Sequence, residues 1–333
     1  MMNAAHLHRL RTLVQCAFLL FCLFAGYRFY RFFLWATANA EYTPRPPSVE
    51  AFLPIAALMG LKQLVMTGIY DPIHPAGLTI LLAALTLALL LRKGFCGWIC
   101  PVGCASELVG NLGRWLRGLL SRSGTRPWLP PRTVDLLLLS LKYLLLLFFL
   151  YAIAWKMDIS TLQRFARSPY NLSADARMLL FFLQPSGLAA VIMISLVLVS
   201  LFWRNFWCRY LCPYGALLGL VALFSPLAVK REAAACIDCK KCEKACPASI
   251  RVAEKVAIRN PECIGCLECV AVCPQKDCLD LVAAPGKKLP PLLLPLLVLA
   301  LFFTFWAVAL ITGHWHSAVP DQAFQTYYRM IGR

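Results

Sequence analysis

Apolar residues run through this chain in long blocks, separated by short polar or proline-bounded breaks. Five blocks read as membrane-spanning helices, at about 13–35, 76–91, 134–155, 188–203 and 292–312. A span needs ~20 predominantly apolar residues, so the second and fourth blocks draw on their flanks. The first block continues through Arg28 and Arg31 with no small-residue cleavage site, unlike a signal peptide. After the second block the pattern becomes amphipathic. Leu108, Val109, Leu112, Trp115, Leu116 and Leu119 recur at helical spacing, with Arg114 and Arg117 on other faces. Such a helix lies along a membrane interface. Between the fourth and fifth blocks, at 226–289, the apolar pattern gives way to a polar, cysteine-rich segment.

Composition agrees with the pattern. Of 333 residues 60% are hydrophobic, and the mean hydropathy is +0.67. Soluble domains are nearer half apolar. The net charge of +17 does not require a nucleic-acid partner, because it is concentrated beside the spans. Segment 92–132 holds seven Lys/Arg against one acid, Glu107, and 204–289 holds thirteen against eight. The positive-inside rule places both segments and the amino terminus in the cytoplasm, and the carboxyl terminus in the periplasm. Arg28 and Arg31 then snorkel at the outer interface. Sixteen cysteines in a reducing compartment point to cofactor ligation rather than disulfides.

Eight of those cysteines form two copies of one run. The first is Cys236-x2-Cys239-x2-Cys242-x3-Cys246-Pro247 and the second Cys263-x2-Cys266-x2-Cys269-x3-Cys273-Pro274. This is the spacing of a bacterial two-cluster ferredoxin, in which three close thiolates hold one [4Fe–4S] cluster and the fourth serves the other. Cluster one is assigned Cys236, Cys239, Cys242 and Cys273. Cluster two is assigned Cys263, Cys266, Cys269 and Cys246. Zinc sites use four ligands in two pairs, not two four-cysteine runs each followed by proline.

A second cysteine pattern repeats in the membrane part. Phe95-Cys96-x3-Cys100-Pro101-x-Gly103 follows the second block, and Trp207-Cys208-x3-Cys212-Pro213-x-Gly215 follows the fourth. Pro75-x-Gly77 and Pro185-x-Gly187 open the preceding blocks, and Arg92, Lys93 and Arg204 stand just before the cysteines. The pattern reads as a duplicated two-helix unit whose copies run in one direction about an axis along the membrane normal. Cys96, Cys100, Cys208 and Cys212 then meet at the cytoplasmic membrane edge. They are candidates for a further metal or iron–sulfur centre, or for a dithiol couple. The alternative is two tight turns whose thiols only pack.

The expected architecture is an α-helical membrane protein with five spans, a duplicated two-helix unit and an inserted α+β two-cluster ferredoxin module. Its domains are a membrane domain, 1–225, with repeats at about 12–132 and 133–225; the ferredoxin module, 226–289; and the last span with an outer tail, 290–333.

Together these motifs resemble the NapH/NosR family of membrane-bound polyferredoxins. The stretches 45–54 and Asp71-Pro72-Ile73-His74-Pro75, and the tail 312–316, resemble that family too. The resemblance covers about 10–330. It implies a bacterial inner-membrane protein passing electrons between the quinol pool and a partner such as a ferredoxin-like, flavin or cytochrome subunit. In NapH-like members the implied role is quinol dehydrogenase for a periplasmic reductase system. The outer flavin domain of NosR-like members has no counterpart here, and there is no Cys-x2-Cys-His haem site, GxGxxG or Walker sequence. Two other classes compete: a copper-handling assembly factor acting through the Cys-x3-Cys pairs, and a cluster-based redox-sensing regulator.

Weaker candidates remain. Asp71 and His74 stand where the first repeat enters its second span, and either can accept a proton from a quinol. A proline-bounded turn capped by Asp71 is the plainer reading. His314 and His316 flank Trp315 in an interfacial belt. Lys142, inside the third block, either compensates a negative metal–thiolate centre or snorkels to the inner surface. Cys16 and Cys22 read as packing residues, and Cys104 and Cys278 as spare thiols near clusters.

Overall fold

Proline decides where many helices begin. Its fixed φ suits the first helical position, where no intrahelical N–H bond is lost. In the computed structural model, which describes residues 4–38, 40–120 and 131–331, helices start at Pro54, Pro75, Pro101, Pro169 and Pro213. In chain order they are α1 (Ala4–Ala38), α2 (Pro54–Thr67), α3 (Pro75–Leu91), α4 (Pro101–Leu120), α5 (Arg132–Leu150), α6 (Ile159–Ala166), α7 (Pro169–Leu172), α8 (Ala174–Leu183), α9 (Gly187–Phe202), α10 (Pro213–Val221), α11 (Lys241–Ala245), α12 (Glu268–Ala271), α13 (Leu293–Ile311) and α14 (Asp321–Ile331). Short strands β1 (Leu227–Arg231), β2 (Ala257–Ile258), β3 (Leu279–Ala283) and β4 (Lys287–Leu289) lie between α10 and α13.

Among the described residues three helical segments are long and apolar enough to cross a membrane: His6–Ala38, Arg132–Lys156 and Leu293–Ile311. A fourth candidate is α8 with α9, bent by 74° at the break between them. The second expected span, α3, is a 17-residue apolar helix, shorter than the other candidates. Leu137, Leu147, Leu188, Val191 and Leu296 are each more than half exposed. Bare leucine faces on long helices have lipid as their solvent. The protein is a multi-pass α-helical membrane protein with an inserted α+β module. Arg122 and Arg126 of the basic segment lie outside the described residues.

The chain divides into two compact units. One comprises residues 1–19, 84–146 and 194–301, and the other 20–83, 147–193 and 302–333. The chain passes between them five times, within α1, α3, α5, α9 and α13.

The first unit contains the ferredoxin module. Its sheet has the order β2-β1-β3-β4, antiparallel throughout, with Val229 opposite both Ile258 and Leu281. The two cysteine loops repeat one backbone trick. Asp238 and Lys240 around Cys239 have positive φ, as do Gly265 and Leu267 around Cys266. Left-handed residues on both sides of the middle cysteine curl each loop. Helices α11 and α12 follow at once.

The second unit packs Phe29, Phe32, Phe33 and Ala36 of α1 against Ala176 of α8 and Phe324 and Tyr328 of α14. Beside this core sits a buried ion cluster. Arg45 reaches Glu50 at 2.8 Å and Asp175 at 2.7 Å, and all three side chains are at most 4% exposed.

Candidate iron–sulfur centres and their electron route

Two cavities in the ferredoxin module sort the eight cysteines. Cys246, Cys263, Cys266 and Cys269 line one, and Cys236, Cys239, Cys242 and Cys273 line the other. Each cavity thus combines three cysteines of one run with the fourth of the other. Four thiolates are the donor set of a [4Fe–4S] cluster, so these residues fit that cofactor. Burial pushes the Cys266 thiol up to about 12 and raises that of Cys246. Ligation must therefore supply the deprotonation that water does not. Cys278 lines the second cavity as a fifth thiol.

Cys96, Cys100, Cys208 and Cys212 sit on equivalent turns. Phe95–Ile99 and Trp207–Leu211 are single π-helical turns, and Cys100 and Cys212 follow them in extended conformation. Such turns mark functional positions in helices more often than chance. The structure brings the two pairs together. Cys96 lies within electrostatic reach of Cys212, and Cys100 within reach of Cys208 and Cys212. Burial pushes the thiols of Cys96, Cys100 and Cys208 up to about 12. Lys93 opposes that shift at Cys96 and Cys208. Phe95 and Tyr214, one from each repeat, meet edge to face at 6.1 Å beside them. Among the described residues no three Cys, His, Asp or Glu side chains are close enough to share one metal ion.

Gly97, next to Cys96, touches the loop of the second cysteine run. A Cβ there would lie 2.3 Å from Ile264 O, closer than any side chain tolerates. The backbone next to Cys96 and the Cys263–Cys266 loop therefore pass in close contact. Polar groups fix the approach. Arg11 Nε and Gln15 Nε2 both donate to Gly97 O at 3.1 Å, and Trp98 Nε1 donates to Gly265 O at 3.1 Å.

The basic residues before each pair grip the same module. Arg92 Nη2 donates to Asn260 O at 2.7 Å, and Lys93 stands 4.0 Å from Glu262. On the other repeat, Arg204 Nη1 donates to Ala245 O at 3.2 Å and Asn205 Nδ2 to Pro247 O at 3.0 Å. Arg209 pairs with Asp135 at 2.8 Å and donates to Ala248 O. Arg92 and Lys93 hold the chain before Cys263, and Arg204, Asn205 and Arg209 hold the chain around Cys246. Charge that reads in the sequence as a topology signal also docks the module.

Lys142 does not snorkel. Its side chain is fully buried, and Nζ lies 2.5 Å from Glu262 Oε2, with Tyr143 donating to the same carboxylate at 3.0 Å. Burial disfavours the Glu262 carboxylate, but Lys93 and Lys142 outweigh it and hold its pKa below the usual range. Sequence reasoning missed Glu262, and it missed Glu107, which binds Arg11 and Arg204 together. Both partners are distant in sequence, so no local pattern announces them.

In the other unit, Asp71 Oδ1 accepts from the N–H of Ile73 at 2.9 Å and of His74 at 3.2 Å. This is the capped turn of the plainer reading. The His74 side chain is fully buried, with Nδ1 3.5 Å from Glu50 and Nε2 3.1 Å from Asn171 O. His314 packs tilted against the Tyr70 ring, with centroids 4.4 Å apart.

Residues 73–122 and 185–231 both match one family model, a 4Fe-4S binding domain, and 228–274 match a 4Fe-4S dicluster domain. YccM of Escherichia coli K12 is 42% identical over 295 residues, covering 86% of this chain and 80% of YccM. The chain belongs to that family. It comprises membrane-associated iron–sulfur electron-transfer and regulatory proteins. The regulatory protein NosR of Pseudomonas aeruginosa is 31% identical over 62% of this chain, which spans 27% of NosR. The ferredoxin-type protein NapH of Haemophilus influenzae is 26% identical over 61% of this chain and 68% of its own length. No solved structure matches. This family member is a membrane-bound iron–sulfur electron-transfer protein.

Proposed function

We propose that the chain passes electrons between the quinol pool and a partner redox protein through three thiol-lined centres. Cys236, Cys239, Cys242 and Cys273 hold one [4Fe–4S] cluster, and Cys246, Cys263, Cys266 and Cys269 the other. Cys96, Cys100, Cys208 and Cys212 hold a further iron–sulfur centre at the membrane edge. The observation that carries this reading is the contact of Gly97 with Ile264, which joins the membrane-edge thiols to the second cluster's loop. The 4Fe-4S binding model matching both repeats supports the duplication. The ferredoxin module lies in the cytoplasm, the carboxyl terminus in the periplasm, and the membrane is a bacterial inner membrane.

Bound clusters supply one-electron carriers, and the chain's own residues supply spacing, burial and charge. Adding a reduced quinol anaerobically to purified full-length protein tests the reading. Prompt bleaching of the cluster absorbance is expected. Clusters that stay oxidised with quinol but reduce with dithionite would contradict it.

A further inference from the structure

The two cysteine runs fold into the same loop twice, yet the two loops meet different surroundings. Ile237-Asp238-Cys239-Lys240-Lys241 corresponds to Ile264-Gly265-Cys266-Leu267-Glu268. Asp238 and Lys240 have φ of 50° and 55°, and Gly265 and Leu267 of 63° and 60°. A helix opens at Lys241 in one loop and at Glu268 in the other. The second loop is covered by the chain itself. Ile264 O lies against Gly97, Gly265 O accepts from Trp98 Nε1 at 3.1 Å, and Glu268 pairs with Arg11 at 3.1 Å. Leu267 is 2% exposed and Cys266 is buried. The first loop is bare. Ile237 is 59% exposed, and Cys239, Lys240 and Lys241 are open to solvent. Where the covered loop offers an acid to Arg11, the bare one offers Lys241. Over 237–244 the exposed charges are Lys240, Lys241 and Lys244 against Asp238, which stands 3.9 Å from Lys240. Glu243 turns inward and accepts from the N–H of Ala253 at 3.2 Å. Lys276 adds an exposed cation past Cys273, and its neighbour Asp277 pairs with Lys288 at 3.1 Å.

We propose that the bare loop, Ile237–Lys241, is the docking face for a one-electron carrier with an acidic surface, which exchanges electrons with cluster one at Cys239. The covered loop shows what this loop shape accepts: close backbone at its isoleucine and an ion pair at its fifth residue. A partner on the bare loop repeats that arrangement with the charge reversed, presenting an acid to Lys241 and an apolar patch to Ile237. The inference deepens the function proposed above and rests on it and on the cluster-one assignment. Transfer moves one electron from reduced cluster one to the partner's oxidised centre, and no bond or proton changes place. The lysines steer an acidic carrier to the loop, and salt weakens that steering.

The test uses full-length protein, reduced with dithionite and desalted, and two protein probes, acidic plastocyanin and basic cytochrome c. Both are one-electron acceptors of high potential, so transfer to either is downhill. The EPR signals of both clusters report that each variant is folded and loaded. Plastocyanin should be reduced faster than cytochrome c at low salt, and its rate should fall as salt rises. Lys241→Glu should slow plastocyanin reduction about tenfold, whereas Arg259→Glu, an equal charge change at an exposed residue ahead of the second run, should change it by less than about twofold. Equal slowing by the two variants would reduce the effect to net charge and overturn the docking face. Faster reduction of cytochrome c than of plastocyanin by the parent protein would overturn the acidic partner. The electrons come from dithionite, so neither outcome depends on quinol, whose reaction is tested separately by the bleaching experiment above.

Discussion

Glu262 carries more of the interior than its single charge suggests. It is the acid that satisfies fully buried Lys142, and Lys93 lies 4.0 Å away. Removing one partner of a buried pair costs about 3–5 kcal/mol, because the other is left charged and dry. Glu262→Gln should therefore lower the thermal midpoint of the purified protein sharply, and Lys142→Met on that background should restore most of the loss. Additive losses in the double variant would show that the two residues do not act on each other. His74 makes the corresponding argument for pH. Burial disfavours its imidazolium, yet nearby Glu50 outweighs that and raises the His74 pKa above its usual value. A raised pKa means the folded state binds the proton more tightly. That stabilisation is complete below the ordinary ~6.5 and fades as pH rises through the raised value. Thermal midpoints measured from about pH 6 to about pH 9 should fall in the parent protein and change less in His74→Gln. Equal slopes would remove the charged imidazole from the account.

At the scale of elements, the curled cysteine loops and the π-helical turns decide which thiols can meet. The cavities mix one cysteine of each run into the other's set. Cys246→Ala should damage cluster two and spare cluster one in reduced-state EPR. Selective loss of cluster one would sink the crossed assignment. These elements were largely legible in advance. The runs from Cys236 and Cys263 have fixed spacing, and the pairs at Cys96 and Cys208 repeat with their prolines and aromatic neighbours. The capped turn at Asp71 was equally readable, since Asp before Pro marks one locally. What could not be read is contact across distance. The pairing of Arg11 with Glu107, or Lys142 with Glu262, spans about a hundred residues and depends on how the helices pack. The sequence left Lys142 open between a compensating charge and the inner surface for that reason: its partner arrives from the ferredoxin module. The short blocks at 76–91 and 188–203 were also legible and became α3 and α9 to within a residue at each end, whereas the 74° bend between α8 and α9 was not.

Across the whole molecule the account is one of connection. Arg92 and Arg204 both hold the ferredoxin module, and the Gly97 backbone packs against it. Topology follows from the same basic residues: a reporter fused at Ala284 should register in the cytoplasm and one at the carboxyl terminus in the periplasm. An outside signal at Ala284 would overturn the orientation and any route built on it. The central claim is that Cys96, Cys100, Cys208 and Cys212 act as one relay between quinol and the two ferredoxin clusters. Residues acting as a unit are not additive, so removing one thiol from each repeat should cost little more than removing one alone. The most direct measurement is stopped-flow reduction of the Cys96→Ala/Cys208→Ala double variant, with both ferredoxin clusters intact by EPR. The relay predicts that dithionite still reduces those clusters while quinol no longer does. Quinol reduction at the parent rate in that variant would contradict it.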